Sequence, residues 1–471
     1  MPVTTQSAKK MLFILPPSRD EGHRFHPSHH PIVTATLAGV ARENGAQVAI
    51  IDPAVSGASR EEIASQVLQL HPDWIGLVSY EYRRETPLQH SKRFALHLRD
   101  QGVDVPIGLL GCPVGDLDCR KLVETRQLDF VVFGDGEPAV QQFALGNGIQ
   151  GAGVLADTMQ GLREEDPVEK LDWSILAPPA WDLFDWKHYI PSAHRYRKAP
   201  VFPVMASRSC PFGCDFCPQS LFQPSDVYSS RPVDDIITEI GHLQDNFSAQ
   251  FIEFYDPTFG VHREKTRQLV QKIGQLQQPI AWSCYSRSDL LDREILTEMA
   301  EAGCHSILFG VESGDEAVLQ RTQKDLKLDE VVRMVKDCRE LGISTIASFI
   351  IGLPLETEQT ARQTIRFACE LNPTYAQFHQ ARAFFEHKDW KELGTIERDW
   401  KEMASSINGQ AYVPNGFNQK EIQKTILRAY LRFYGSPRKL VELSRDVRSR
   451  ADIQRYMRGL GQLGSYFWGL P

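Results

Sequence analysis

No apolar run in this 471-residue sequence is long enough to cross a bilayer, so a helical membrane span is not expected. Positive charge is not in excess. Lys and Arg number 52 against 60 Asp and Glu, a net charge of −8, which gives no global footprint for nucleic acid. Low-complexity tracts and short-period repeats are missing as well. The first apolar run, Met11–Leu15, is five residues long and ends in Pro16-Pro17. It reads as a first strand rather than a signal peptide, and the protein is expected in the cytoplasm. Cysteine is scarce, nine in all, and six of these (Cys112, Cys119, Cys284, Cys304, Cys338, Cys369) are scattered as small core residues of a reducing compartment are.

The other three are crowded together. Cys210, Cys214 and Cys217 in SRSCPFGCDFCPQ give C-x3-C-x2-C. A zinc site would need a second Cys or His pair at a suitable distance, and none follows. Three thiolates within eight residues suit three irons of a cubane whose fourth iron has no protein ligand. The triplet follows the apolar run 201–206, a buried strand by its composition, and Gly213 lets the loop turn between ligands.

Length implies two or three domains. Over 1–150 apolar strands at 11–17, 46–53, 73–82, 105–113 and 128–138 alternate with helical spacing at 34–45, 60–70 and 88–101. That is an α/β pattern, a doubly wound, Rossmann-like parallel sheet with ligands at its strand carboxyl ends. Those ends hold Ser79, Tyr80, Glu81, Gly111, Gly134, Gly136 and Glu137. Residues 151–200, rich in proline and aromatics, read as a strap between domains. Over 201–385 six strand–helix units follow, too few for a closed eight-stranded barrel, hence a partial (β/α)6 barrel with a lateral opening. Residues 386–471 read as helical. Their cations, Arg428, Arg432, Arg438 and Arg445, suit either a solvated cap or an anionic ligand.

With its cysteine loop, βα region and partial barrel, the chain resembles radical S-adenosylmethionine (SAM) enzymes that carry an N-terminal cobalamin-binding-type domain. The resemblance implies a [4Fe–4S] cluster on Cys210, Cys214 and Cys217, SAM chelated to the open iron, and a 5′-deoxyadenosyl radical made by reductive cleavage. It implies SAM contacts at Phe216, Asp256, Ser283, Arg287, Glu312, Gly352 and Pro354. Cobalamin is implied at the strand-end residues of the first domain. The cobalt-ligating pattern D-x-H-x-x-G is missing, as it often is in this family. His23, His26, His29 and His30 read as a flexible polar loop or as a metal or corrinoid contact. The leading expectation is methylation of an unactivated carbon, or of phosphorus, in a small molecule, with electrons from a flavodoxin or ferredoxin. The rivals are a non-methylating radical reaction (cyclisation, ring contraction, oxidation, dehydration) and a non-catalytic sensor.

Overall fold

The computed structural model describes residues 8–15, 30–78, 87–112, 117–158, 161–167, 170–189, 196–217, 228–383, 388–396 and 410–446. The first sheet contains β1 (Lys10–Ile14), β2 (Gln47–Ile51), β3 (Trp74–Val78), β4 (Ile107–Cys112), β5 (Phe130–Phe133), β6 (Val154–Thr158) and β7 (Gly161–Glu164), in the order β2-β1-β3-β4-β5-β6-β7. The first five strands are parallel, while β6 and β7 add an antiparallel edge. Every residue of β3, β4 and β5 is buried, as expected of parallel strands covered on both faces by helices. The order reverses between β1 and β3, the switch point at which sheets of this kind take their ligands. The sheet continues to Glu164, past residue 150, where the strand–helix pattern ended in sequence.

The second sheet is wholly parallel and strictly sequential: β8 (Val201–Val204), β11 (Phe251–Phe259), β12 (Ala281–Ser286), β13 (Cys304–Glu312), β14 (Ser344–Ile351) and β15 (Tyr375–Gln380). One helix or more follows each strand, and the last unit closes with Gln419–Tyr434. Local signals set these helices. Asn418 and Glu421 form a capping box, as do Thr357 and Thr360, and Asp292 caps Ile295 N–H. Strand alternation puts Phe254, Trp282, Cys284, Phe309 and Phe349 in the outer core beneath the helices. Their neighbours Glu253, Tyr255, Ser283, Tyr285, Ser348, Gln377 and His379 therefore face the barrel interior.

Two short strands, β9 (Ser207–Arg208) and β10 (Ser229–Ser230), flank the cysteine loop as an antiparallel pair. The region after 386, read as helical, also contains strands. β17 (Gly394–Ile396) and β18 (Gln410–Pro414) join β16 (Arg382–Ala383) in a small antiparallel sheet.

Candidate active site at the barrel mouth

The three cysteines lie on the loop that leaves β8 and β9 at the carboxyl end of the barrel, and none of the nine is in a disulfide. Several elements fix this loop. Asp256, 1 % exposed, accepts hydrogen bonds from Ala206 N–H at 3.1 Å and the Ser207 hydroxyl at 2.5 Å. Burial nevertheless pushes its pKa up to about 6. Cys210 Sγ lies 3.1 Å from Thr258 Oγ1 on β11. Arg287 stacks on Phe212 at 4.0 Å, forks onto Asp289, donates to Asp325 O and points Nη1 at Cys214 Sγ, 3.7 Å away. Burial pushes the Cys214 thiol up, while Lys324 and Arg287 pull it down. Two cations beside a thiol favour its ionised, metal-binding form.

Lys324 is the other organiser. Its ammonium donates to Glu312 Oε1 at 2.8 Å and to Gly310 O at 2.9 Å, and sits 5.8 Å from the centre of the Phe216 ring. Glu312 ends β13 in the left-handed region at φ 69°, and Ser209, just before Cys210, has φ 64°. Strained non-glycine residues at two strand ends of the barrel mouth mark a place where geometry outweighs local comfort. Gly352 turns at φ 92°, and a Cβ there would meet Ile422 Cδ1 at 2.8 Å. Its N–H is held by Glu356, a buried carboxyl whose other oxygen has no hydrogen-bond partner among the described residues and whose pKa burial pushes up to about 8.

Phe216 packs on the cluster that contains Leu353, so the structure brings Phe216, Glu312 and the turn at Gly352 and Pro354 together beside the cysteines. Ser283 stands apart. It lies three residues before the end of β12, about 10 Å down the wall at ordinary strand rise. Asp256 and Arg287 reach the site by gripping the loop.

No three His, Cys, Asp or Glu converge on a single ion among the described residues. A cubane offers a separate iron to each thiolate, so its ligands need not converge. The thiol set and its two cations fit such a group. In the first domain Gly111, the last residue but one of β4, and Gly134, just past β5, have φ 88° and 68°, and neither brings a side chain of its own to those strand ends, which suits a broad flat ligand there. Gly136 caps the helix Glu137–Ala144, and Glu137 binds Arg208. Ser79, Tyr80, Glu81, His23, His26 and His29 lie outside the described residues. His30 is core: it sits against Tyr189, Phe202 and Trp181, and burial lowers its pKa to about 3.

Sequence reasoning passed over Arg208, Lys324 and Glu356. Lys324 lies in RTQKDLKLDE, which has the composition of a solvated turn, and its contacts with β13 and Phe216 are non-local.

Residues 204–368 match the Radical SAM superfamily model. An uncharacterised methyltransferase of Pyrococcus horikoshii is 28% identical over 96% of this chain and 98% of its own length. The anaerobic magnesium-protoporphyrin IX monomethyl ester cyclase of Rubrivivax gelatinosus is 25% identical over 90% of this chain and 77% of its own. Among solved structures, the radical SAM methyltransferase TsrM of Kitasatospora setae, with cobalamin and a [4Fe–4S] cluster bound, superposes with TM-score 0.68 at 15% identity, covering 90% of this chain and 91% of TsrM. The cobalamin-dependent radical enzyme OxsB, with aqua-cobalamin and SAM bound, gives 0.72 at 14% identity, covering 98% of this chain and 72% of OxsB. The cysteine loop, at the mouth of a six-stranded parallel barrel, thus lies within the segment that matches the Radical SAM superfamily model, and the chain as a whole, with its 2-1-3-4-5 sheet ahead of the barrel, shares the fold of TsrM and OxsB.

Proposed function

We propose that this enzyme holds a [4Fe–4S] cluster, SAM and cobalamin, and methylates an unactivated carbon of a small molecule. One observation supports it most. Arg208, two residues before Cys210, pairs with Glu137 and Asp135 just past the end of β5, so the strand-end loops of the two sheets meet at this contact. When bound, such a cluster supplies the electron that splits the SAM sulfonium and so yields a hydrogen-abstracting radical.

The chain's own residues bind and orient. Cys210, Cys214 and Cys217 are the iron ligands, and Thr258 and Arg287 hold two of those sulfurs. Phe216 and the turn at Gly352 seat the adenine, and Glu312, fixed by Lys324, receives the ribose. Glu253, bonded by the Tyr285 hydroxyl at 2.9 Å, presents a polar wall to the substrate. His379 has solvent access within the barrel although protein encloses it. Enclosure, and then the charge of Arg382, lower its pKa to about 4, so it is a neutral hydrogen-bonding group near pH 7. The walls keep water from the reacting carbon. A flavodoxin or ferredoxin would supply the electron.

Protein purified without oxygen and supplied with iron, sulfide and cobalamin is expected to retain all three. With SAM and a reductant it is expected to release 5′-deoxyadenosine, and with substrate S-adenosylhomocysteine as well. Cys214→Ala is expected to lose cluster and cleavage together. Full cleavage by that variant would overturn the reading. A second reading, ring closure or oxidation without methyl transfer, draws on the cyclase relative that matches 90% of the chain. It predicts 5′-deoxyadenosine with no S-adenosylhomocysteine.

A further inference from the structure

Arg208 lies on β9 and reaches a residue 71 positions earlier in the chain. Its guanidinium binds Glu137 through Nη2, and Nη1 stands 3.6 Å from Asp135 Oδ1. The three side chains are 12%, 1% and 9% exposed, so the pair is shielded from water and from salt. Glu137 opens the helix Glu137–Ala144 directly after the loop 134–136. On the other side, Arg208 has little freedom. Its neighbour Ser207 is bound to Asp256, its own backbone pairs with Ser229, and Ser209 is fully buried at φ 64°. A shift of Glu137 is therefore passed to Cys210 through a two-residue span that cannot slacken.

We infer that Arg208 is a positioning residue: it fixes the separation between the corrinoid ring at the loop 134–137 and the iron–sulfur cluster on the cysteine loop. The inference rests on the cobalamin reading above. A group transfer between two cofactors tolerates little error in their spacing, and a buried arginine fork resists both sliding and rotation in a way an ammonium does not.

Cob(II)alamin and the reduced cluster each carry an unpaired spin, so pulsed dipolar electron paramagnetic resonance reads their distance directly. The holoenzyme, Arg208→Lys and Arg208→Gln are compared, with iron, sulfide and corrinoid content measured on each. The expected result is a narrow distribution in the parent. Both variants should show a broadened or displaced one at unchanged cofactor content, with 5′-deoxyadenosine release in the absence of substrate within about twofold of the parent. An unchanged distribution in both variants overturns the inference. So does loss of the cluster in both, because Arg208 would then support the cysteine loop alone. A parent protein that takes up no corrinoid fails earlier and separately, and removes the cobalamin reading itself.

Discussion

Asp256 is buried beside the cysteine loop with two donors aimed at its carboxylate, and the donors lose to desolvation: the pKa rises from 3.8 to about 6. A carboxyl whose pKa is higher folded than unfolded binds a proton that the unfolded chain releases. Its contribution to stability is therefore full below about pH 4 and is lost as pH rises through about 6. Two pKa units correspond to roughly 3 kcal/mol. Asp256→Asn keeps an acceptor for Ser207 and Ala206 without the charge. Its urea midpoint is expected to exceed that of the parent near neutral pH and to change less between about pH 4 and pH 7. An equally steep pH profile in the variant would place the titration elsewhere. Arg287 poses a different question, since its fork is already engaged by Asp289 and Asp325 O. With a cluster on Cys214 as proposed, a cation 3.7 Å from that thiolate would favour the reduced state. Arg287→Met is expected to lower the cluster's midpoint potential while SAM affinity stays within about twofold. A loss of about tenfold, or 1.4 kcal/mol, would instead assign the arginine to the SAM carboxylate.

At the scale of elements, the last barrel strand explains how an open barrel avoids a sticky edge. β15 pairs with β14 on one side only. On the other, the Tyr434 hydroxyl donates to Ala376 O at 2.9 Å and accepts from Ala376 N–H at 3.0 Å, and Tyr430 accepts from Phe378 N–H at 3.1 Å. Tyrosines four apart on one helix meet alternate strand residues, so side chains replace the missing neighbour strand. Tyr434→Phe strands two buried backbone groups and is expected to cost about 1–3 kcal/mol, with amide exchange in Tyr375–Gln380 accelerated. Unchanged protection there would show the edge is held by packing alone. The same strand was legible in the sequence, as were all eleven parallel strands, because continuous apolar runs ended in Gly, Pro or charge. β7 was not: all four of its residues are exposed, so no alternation betrays it. β17, three residues long, and β18, five, exist by pairing with each other, and β18 also with β16, a non-local cause. Of the residues gathered at the barrel mouth, the cysteines, Phe216 and Gly352 could be singled out in sequence because chemistry or backbone geometry restricts the residue type. Arg208 and Lys324 were not, since their burial is imposed by segments 71 and 12 residues away.

Over the whole molecule, the strap joins two sheets into one core rather than tethering two bodies. Trp181 is fully buried, its ring centre 5.6 Å from Phe202 of the barrel and 6.0 Å from His30 of the first domain. Ala180 N–H donates to Ala35 O at 2.9 Å, and Arg42 forks onto Asp182 at 2.6 and 3.0 Å. Gly39 gives the strap its seat, since a Cβ there would stand 2.4 Å from Pro178 O. One apolar cluster accordingly runs from Leu15 and Ile32 through Trp181 and Tyr189 to Phe202 and Phe254. A shared core makes the domains unfold together, because neither can expose its half of the interface without opening the other. Trp181→Ala removes the ring both halves share, at a cost of about 3–5 kcal/mol. The parent is expected to melt in one calorimetric transition. The variant is expected to melt in two, the earlier one accompanied by loss of the dipolar signal between cofactors. Two transitions already present in the parent would mean that the strap tethers without coupling, and that the spacing of the two sites rests on Arg208 and its two carboxylates.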